Sequence, residues 1–278
     1  MIRTITAAIL VFGALAACQN PPTQNNANIS PPGLNETEKV DHPIMMSEKA
    51  HHKSTFMDKG MVAYDLVLTF GGKERFRGRI WQTTEGSRIR LEEEGGRILV
   101  YKDAEVRMQP MEAKSAGARF DVLTWPYFFA FPYKLSDPGT FWGEFASKRL
   151  MDKQWLSGRL SFASGTGDSP DDWYQTYFDP ETHQVKAAAY IVTFGQSAEA
   201  ASEDPHAVVY EDYQEVDGVP IAHRWLFYGW REKEGLTDQL GEAFVSNVEF
   251  AAVNEDKFVL RENFQVISNK FSIPKVGF

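Results

Sequence analysis

The chain has 278 residues, with 38 acidic side chains against 29 basic ones and a formal net charge of -9. Such a balance lacks the basic footprint that phosphate contacts need and excludes a nucleic-acid partner. Its single cysteine, Cys18, leaves no disulfide framework to hold the fold, so the 43% of hydrophobic and 13% of aromatic residues must supply the core.

The N-terminus carries one charge, Arg3, followed by an apolar run from Ile5 to Leu15 broken only by Thr6 and Gly13. That order of charge, apolar stretch and small residues is the pattern of an export signal, predicted here over residues 1–17. A membrane-spanning helix needs roughly 20 apolar residues, and this run is shorter. The tail Leu15-Ala16-Ala17-Cys18 resembles the lipobox of bacterial lipoproteins. The resemblance implies cleavage before Cys18, acylation of its thiol and amine, and a membrane anchor through that residue. Gln19 follows where aspartate would retain an enteric lipoprotein in the inner membrane, which points to the outer membrane facing the periplasm. An ordinary signal peptide with a cysteine nearby is the alternative. Residues 18–45 are rich in Asn, Pro and Gln without apolar periodicity, and read as the lipidated cysteine and a flexible tether.

A folded domain is expected over residues 46–278. It opens with an amphipathic helix from Ser47 to Lys59, capped by Ser47 and stopped by Gly60. Strands follow. Val62, Tyr64, Leu66, Leu68 and Phe70 alternate along the first, which ends at the Gly71-Gly72 turn. Phe76, Gly78 and Ile80 alternate with Arg75, Arg77 and Arg79 along the second, and Ile89 and Leu91 with Arg88 and Arg90 along the third. Pairing of these arginines with Glu92 or Glu94 makes a solvated outer face; the sharper alternative is an anion-binding patch. Another strand begins at Arg97 to Tyr101.

The alternation breaks between Ala118 and Leu135. Trp125, Tyr127, Phe128, Phe129, Phe131 and Tyr133 crowd together there, and Pro126 and Pro132 are expected to interrupt any long helix. Strands resume at 140–149, 154–163, 173–178 and 185–193, with an exposed loop at 195–205. Asp217-Gly218 joins strands 207–216 and 219–230 as a type I′ hairpin. A last strand at 242–253 places Phe244, Val248 and Phe250 on one face.

Two hairpins, DWYQTYFDPETHQVKAAAYIV and YEDYQEVDGVPIAHRWLFY, resemble the LolA/LolB-like superfamily of periplasmic lipoprotein carriers and receptors. The likeness covers residues 60 to 253, and its motifs report fold more than function. It implies a mainly β fold, a curved antiparallel half-barrel with a few short helices covering the concave face. It also implies a non-catalytic protein that binds an apolar ligand, a lipid or acyl chain, on that face, with an envelope protein as a further partner. On that fold the aromatic segment becomes a lid or plug. The expected ligand-binding set is Trp125, Tyr127, Phe128, Phe129, Phe131, Tyr133, His223, Trp225 and Phe227; the alternative is that the aromatics simply fill the half-barrel.

Catalytic signals are weak. No serine elbow, zinc-protease helix, phosphate loop or dinucleotide fingerprint is present, and no cofactor is implied. Gly165-Thr166-Gly167-Asp168 lacks the lysine of a phosphate loop and reads as a hairpin loop. His51 and His52 would point about 100° apart on a helix, so no metal site is predicted. Asp171 and Asp172 read as a loop lead-in. The competing hypotheses are a hydrolase-type enzyme using His223 or His52 with a carboxylate on the concave face, and a structural envelope scaffold.

Overall fold

The computed structural model describes residues 42–267; the expected export signal, Cys18 and most of the tether lie outside the described residues. Two helices open the fold, α1 (Pro43–Ala50) and α2 (Lys53–Asp58), in place of the single helix expected from Ser47. Pro43, with its preset φ, starts α1 inside the predicted tether, and the His42 side chain caps it by accepting from the Ile44 amide at 3.3 Å. Ser47 is therefore a buried interior residue of α1. The break falls at His52, whose φ of 51° is left-handed and cannot continue a helix.

The strands are β1 (Met61–Phe70), β2 (Lys73–Thr83), β3 (Arg88–Glu93), β4 (Ile98–Lys102) and β5 (Glu105–Gln109). Helix α3 (Ala118–Ala130) follows, then β6 (Thr140–Trp142), β7 (Ala146–Leu150), β8 (Lys153–Phe162), β9 (Tyr174–Phe178) and β10 (Val185–Tyr190). Helix α4 (Ala198–Ser202) precedes β11 (His206–Val216), β12 (Val219–Arg231), β13 (Gly235–Ala251) and β14 (Gln265–Ile267). All fourteen strands form one antiparallel sheet in the order β14-β5-β4-β3-β2-β1-β13-β12-β11-β10-β9-β8-β6, with β7 also paired to β8. The sheet is curled and unclosed, the half-barrel of a mainly β fold with short helices.

The period-two pattern sets the two faces. Val62, Tyr64, Leu66 and Leu68 of β1 are fully buried on the inner face, where Phe76 and Ile80 of β2 join them. Gly71 and Gly72 both take positive φ, as do Asp217 and Gly218, so the two hairpins are closed by the expected turns. On the outer face Arg79 pairs with Asp65 at 2.9 Å and Glu249 at 2.8 Å, Arg77 with Glu74 at 2.6 Å, and Arg90 with Glu92 at 2.5 Å. Most of the arginines are thus paired along a solvated surface, where each pair contributes about 0–1 kcal/mol, while Arg75 donates only to the Phe70 carbonyl. Gly78 has a steric reason to be glycine, since a Cβ there would meet the Glu92 carbonyl oxygen at 2.1 Å.

Several expectations are corrected. Pro126 lies inside α3 rather than ending it; the helix is buried enough to tolerate the lost backbone hydrogen bond. The single strand expected at 140–149 is two, β6 and β7, and β7 turns into β8 through Met151 and Asp152, both at positive φ without a glycine to announce it. The loop at 195–205 contains α4, capped by Ser197 accepting from the Ala200 amide. Strand β13 begins at Gly235, and a bulge at Asn247 (φ 49°) switches its alternation. Phe244 consequently faces outward at 45% exposure, while Val248 and Phe250 pack on the core.

Candidate ligand cavity

Helix α3 is apolar nearly all round, the pattern of a helix buried on every side, and it lies against the inner face of the sheet. Gly117, at φ 78°, turns the chain into it, and Asp121 in its first turn accepts from Trp125 Nε1 at 3.3 Å and from Arg97 at 2.7 Å. The following 3₁₀ turn, Phe131–Tyr133, carries the chain out toward α1 and α2.

Most of the nine expected ligand residues are packed into the interior. Phe129 stacks on Tyr64 with centroids 4.0 Å apart, and Tyr133 stacks on Phe56 at the same distance while donating its hydroxyl to the Pro220 carbonyl at 2.5 Å. Phe131 lies 4.9 Å from Tyr174. Phe227 packs against Phe128 and Trp125, and Trp225 donates to the Ala222 carbonyl at 3.1 Å. His223 sits beside these with Nδ1 3.0 Å from the Val245 carbonyl oxygen. Tyr210 donates to the Phe128 carbonyl at 2.8 Å, tying α3 to β11.

Tyr127 and Phe128 differ from the other seven. They line a cavity of about 410 Å³ between α3 and the inner face of the sheet. Phe120 and Leu123 of the same helix, Ile89 and Tyr101 from β3 and β4, and Phe162, Tyr174 and Tyr190 from β8, β9 and β10 complete its apolar walls. The volume is within the range of small-molecule sites, and the wall chemistry matches a hydrocarbon.

Polar groups share the lining. Lys134 donates from Nζ to the Glu85 carbonyl and to Asp137, each at 2.9 Å. Arg119, 7% exposed, holds Asp168 through both guanidinium and carboxylate forks and donates to the Ala104 carbonyl at 3.2 Å. This pair pins the 163–173 loop to α3. Asp172 accepts from the Thr193 amide and hydroxyl, both at 2.7 Å on Oδ1. Burial outweighs those bonds and pushes its carboxyl up to about 6. Asp168 and Asp172 read only as loop residues in the sequence. The one available signal was the placement of Asp172 directly ahead of the aromatic strand Trp173-Tyr174.

The histidines do not assemble a catalytic site. His52 Nδ1 lies 2.7 Å from the Gly218 carbonyl oxygen, His223 is bonded as above, and neither lines the cavity. His51 is fully buried; its Nε2 accepts from the Val185 amide at 2.8 Å, and burial, reinforced by His52, pulls it down to about 3. Among the described residues no group of three or more His, Cys, Asp or Glu side chains is arranged to hold a metal. No helix among them is long and apolar enough to cross a membrane.

Fold and cavity together define an unclosed β half-barrel with a helix on its inner face and an apolar pocket between them. No protein-family model and no curated protein matches the chain. Among solved structures it is similar to a LolA superfamily protein from Nitrosomonas europaea, at 10% identity and a TM-score of 0.49 over 77% of this chain and 97% of the other. It is also similar to a DUF1329 family protein from Desulfovibrio piger, at 9% identity and a TM-score of 0.43 over 78% and 98% of the two chains. An outer membrane lipoprotein-sorting protein domain from Vibrio parahaemolyticus gives 8% identity and a TM-score of 0.42 over 77% and 95%. These are likenesses of outline only.

Proposed function

We propose that this protein is a membrane-tethered, non-catalytic binder of an apolar ligand, a lipid or other hydrocarbon-bearing molecule, in the cell envelope. The observation that carries the reading is the cavity of about 410 Å³ walled by aromatic and aliphatic side chains beneath α3. The carbonyl contacts of His52 and His223, neither of which lines that cavity, support a binding role over a hydrolytic one. A neutral fluorescent probe, 1-N-phenylnaphthylamine, is expected to bind saturably to the protein at one site. Leu123→Trp, which adds an indole to the cavity wall, is expected to weaken that uptake about tenfold or more while leaving the far-ultraviolet circular dichroism unchanged. Absence of saturable uptake by the unsubstituted chain would overturn the reading.

The tether belongs to the same proposal. Cys18, behind Leu15-Ala16-Ala17, is its acylated attachment point, and the outer membrane facing the periplasm is its site. Two or three acyl chains at about 0.8 kcal/mol per buried methylene make such an anchor effectively permanent. Cys18→Ala is therefore expected to abolish incorporation of an alkyne-tagged fatty acid and to move the protein from the membrane pellet to the soluble fraction. Fractionation with the membrane after this substitution would refute the anchor.

A further inference from the structure

Of the carboxylates that line the cavity, Glu85, Asp137 and Asp168 each have a cation of their own, and Asp172 forms no ion pair among the described residues. Lys134 is the one lining cation among the described residues. Lys134 already donates to Asp137 and to the Glu85 carbonyl, and Arg119 is held by Asp168. An anionic head group entering here would meet carboxylates whose nearby cations are engaged.

A second observation is independent of that charge. Tyr174 and Tyr190 are 7% and 5% exposed, face one another across the β9–β10 register, and line the cavity with Tyr127. None of the three hydroxyls takes part in a hydrogen bond among the described residues, and unlike the sealed hydroxyl of Tyr64 they are open to the cavity. Asp172 lines the same cavity as the three rings and stands two residues before Tyr174. Burial is the main cause that holds all three hydroxyls above the usual phenol range, and the charge of Asp172 adds to it in each. Asp172 uses Oδ1 for Thr193, and its Oδ2 accepts from no described residue.

The cavity thus offers one open carboxylate oxygen and three phenolic hydroxyls, each able to accept or donate, within an otherwise apolar wall, and the carboxylate sets the preferred charge. We infer that its ligand is a long-chain amine, whose ammonium group donates to Asp172 Oδ2 and to the hydroxyls of Tyr174 and Tyr190 while its hydrocarbon lies along Leu123, Phe128 and Phe162. An ammonium supplies three donors and the countercharge that Asp172 lacks, whereas a carboxylate or phosphate supplies neither. The inference rests on the apolar-ligand reading and specifies the head group for the same pocket.

The test uses the full chain carrying Cys18→Ala, so that no acyl group of its own competes. Dodecylamine, dodecanol and dodecanoate, each below its micellar concentration, are titrated against bound 1-N-phenylnaphthylamine. The amine is expected to displace the probe at about tenfold or more lower concentration than either of the others. Asp172→Asn, which keeps an oxygen for Thr193, is expected to erase that preference while retaining probe binding; Tyr174→Phe is expected to reduce it in part, and near-ultraviolet circular dichroism verifies that both variants fold. Equal or tighter binding of dodecanol or dodecanoate, or an amine preference that survives Asp172→Asn, would overturn the inference and leave the apolar-ligand reading standing. Failure of the probe itself to bind would overturn both.

Discussion

Replacing His51 with alanine is expected to lower the unfolding free energy by about 2–4 kcal/mol, because it orphans the buried Val185 amide and leaves a void beside Tyr133 and Tyr213. His51→Gln should cost far less, since the glutamine carbonyl can occupy the place of Nε2 and accept the same bond. The two variants separate further as pH changes. Folded His51 is neutral down to about 3, while in the unfolded chain it protonates at its ordinary value of 6.5. Between those values the unfolded state binds the extra proton, so stability falls as pH falls, by about 2 kcal/mol from pH 7 to pH 5. Asp172 opposes this. Its folded carboxyl is raised to about 6, so the folded state takes up a proton first, and its contribution grows by about 1 kcal/mol over the same interval. His206, lowered chiefly by burial, acts in the direction of His51. Urea melts at pH 7 and pH 5 should therefore show a shallow net change in the unsubstituted protein. The difference between it and His51→Gln isolates the histidine; a difference that does not change with pH would refute a neutral, buried His51.

Phe129→Ala is the second large effect. Phe129 is 4% exposed and stacked on Tyr64, so its removal creates a cavity under the centre of the sheet at a cost of about 3–5 kcal/mol. Tyr127→Ala, two residues earlier on the same helix, removes a cavity-wall ring and is expected to cost less stability but to weaken probe uptake more. Thermal melts and probe titrations on the two variants give the comparison. Equal effects on uptake would mean that the aromatic segment acts as one wall instead of a core side and a cavity side.

That division was invisible in the sequence, where Trp125, Tyr127, Phe128, Phe129, Phe131 and Tyr133 look alike. A helix apolar all round carries no amphipathic signal to say which rings meet solvent-filled space, and only the curl of the sheet decides it. The strands were more legible. Alternation in β1 to β3 and the Gly71-Gly72 and Asp217-Gly218 turns give the meander directly, because period-two burial and positive φ have strong residue preferences. Where those preferences are overridden, the reading departs from the structure: Met151 and Asp152 turn without glycine, Asn247 reverses the parity of β13, and Pro126 sits within a helix. The polar lining was the least legible, since Asp168 and Asp172 are separated in sequence from the Arg119 and Thr193 that hold them.

The strand order also has a kinetic meaning. From β5 to β1 the sheet neighbours are sequential, as they are from β13 back to β8, so each of these runs can assemble from local hairpins. The two halves meet at β1 with β13, where Met61 pairs with Ala251 and Phe70 with Gly241, and again where the short β14 pairs with β5. Closing the β1–β13 seam brings together residues from opposite ends of the folded region, at a loop-closure cost that no hairpin of the sheet carries. Substitutions in β1 and β13 are accordingly expected to slow refolding, and those in the outer hairpins mainly to hasten unfolding, a difference that the two limbs of a denaturant chevron measure.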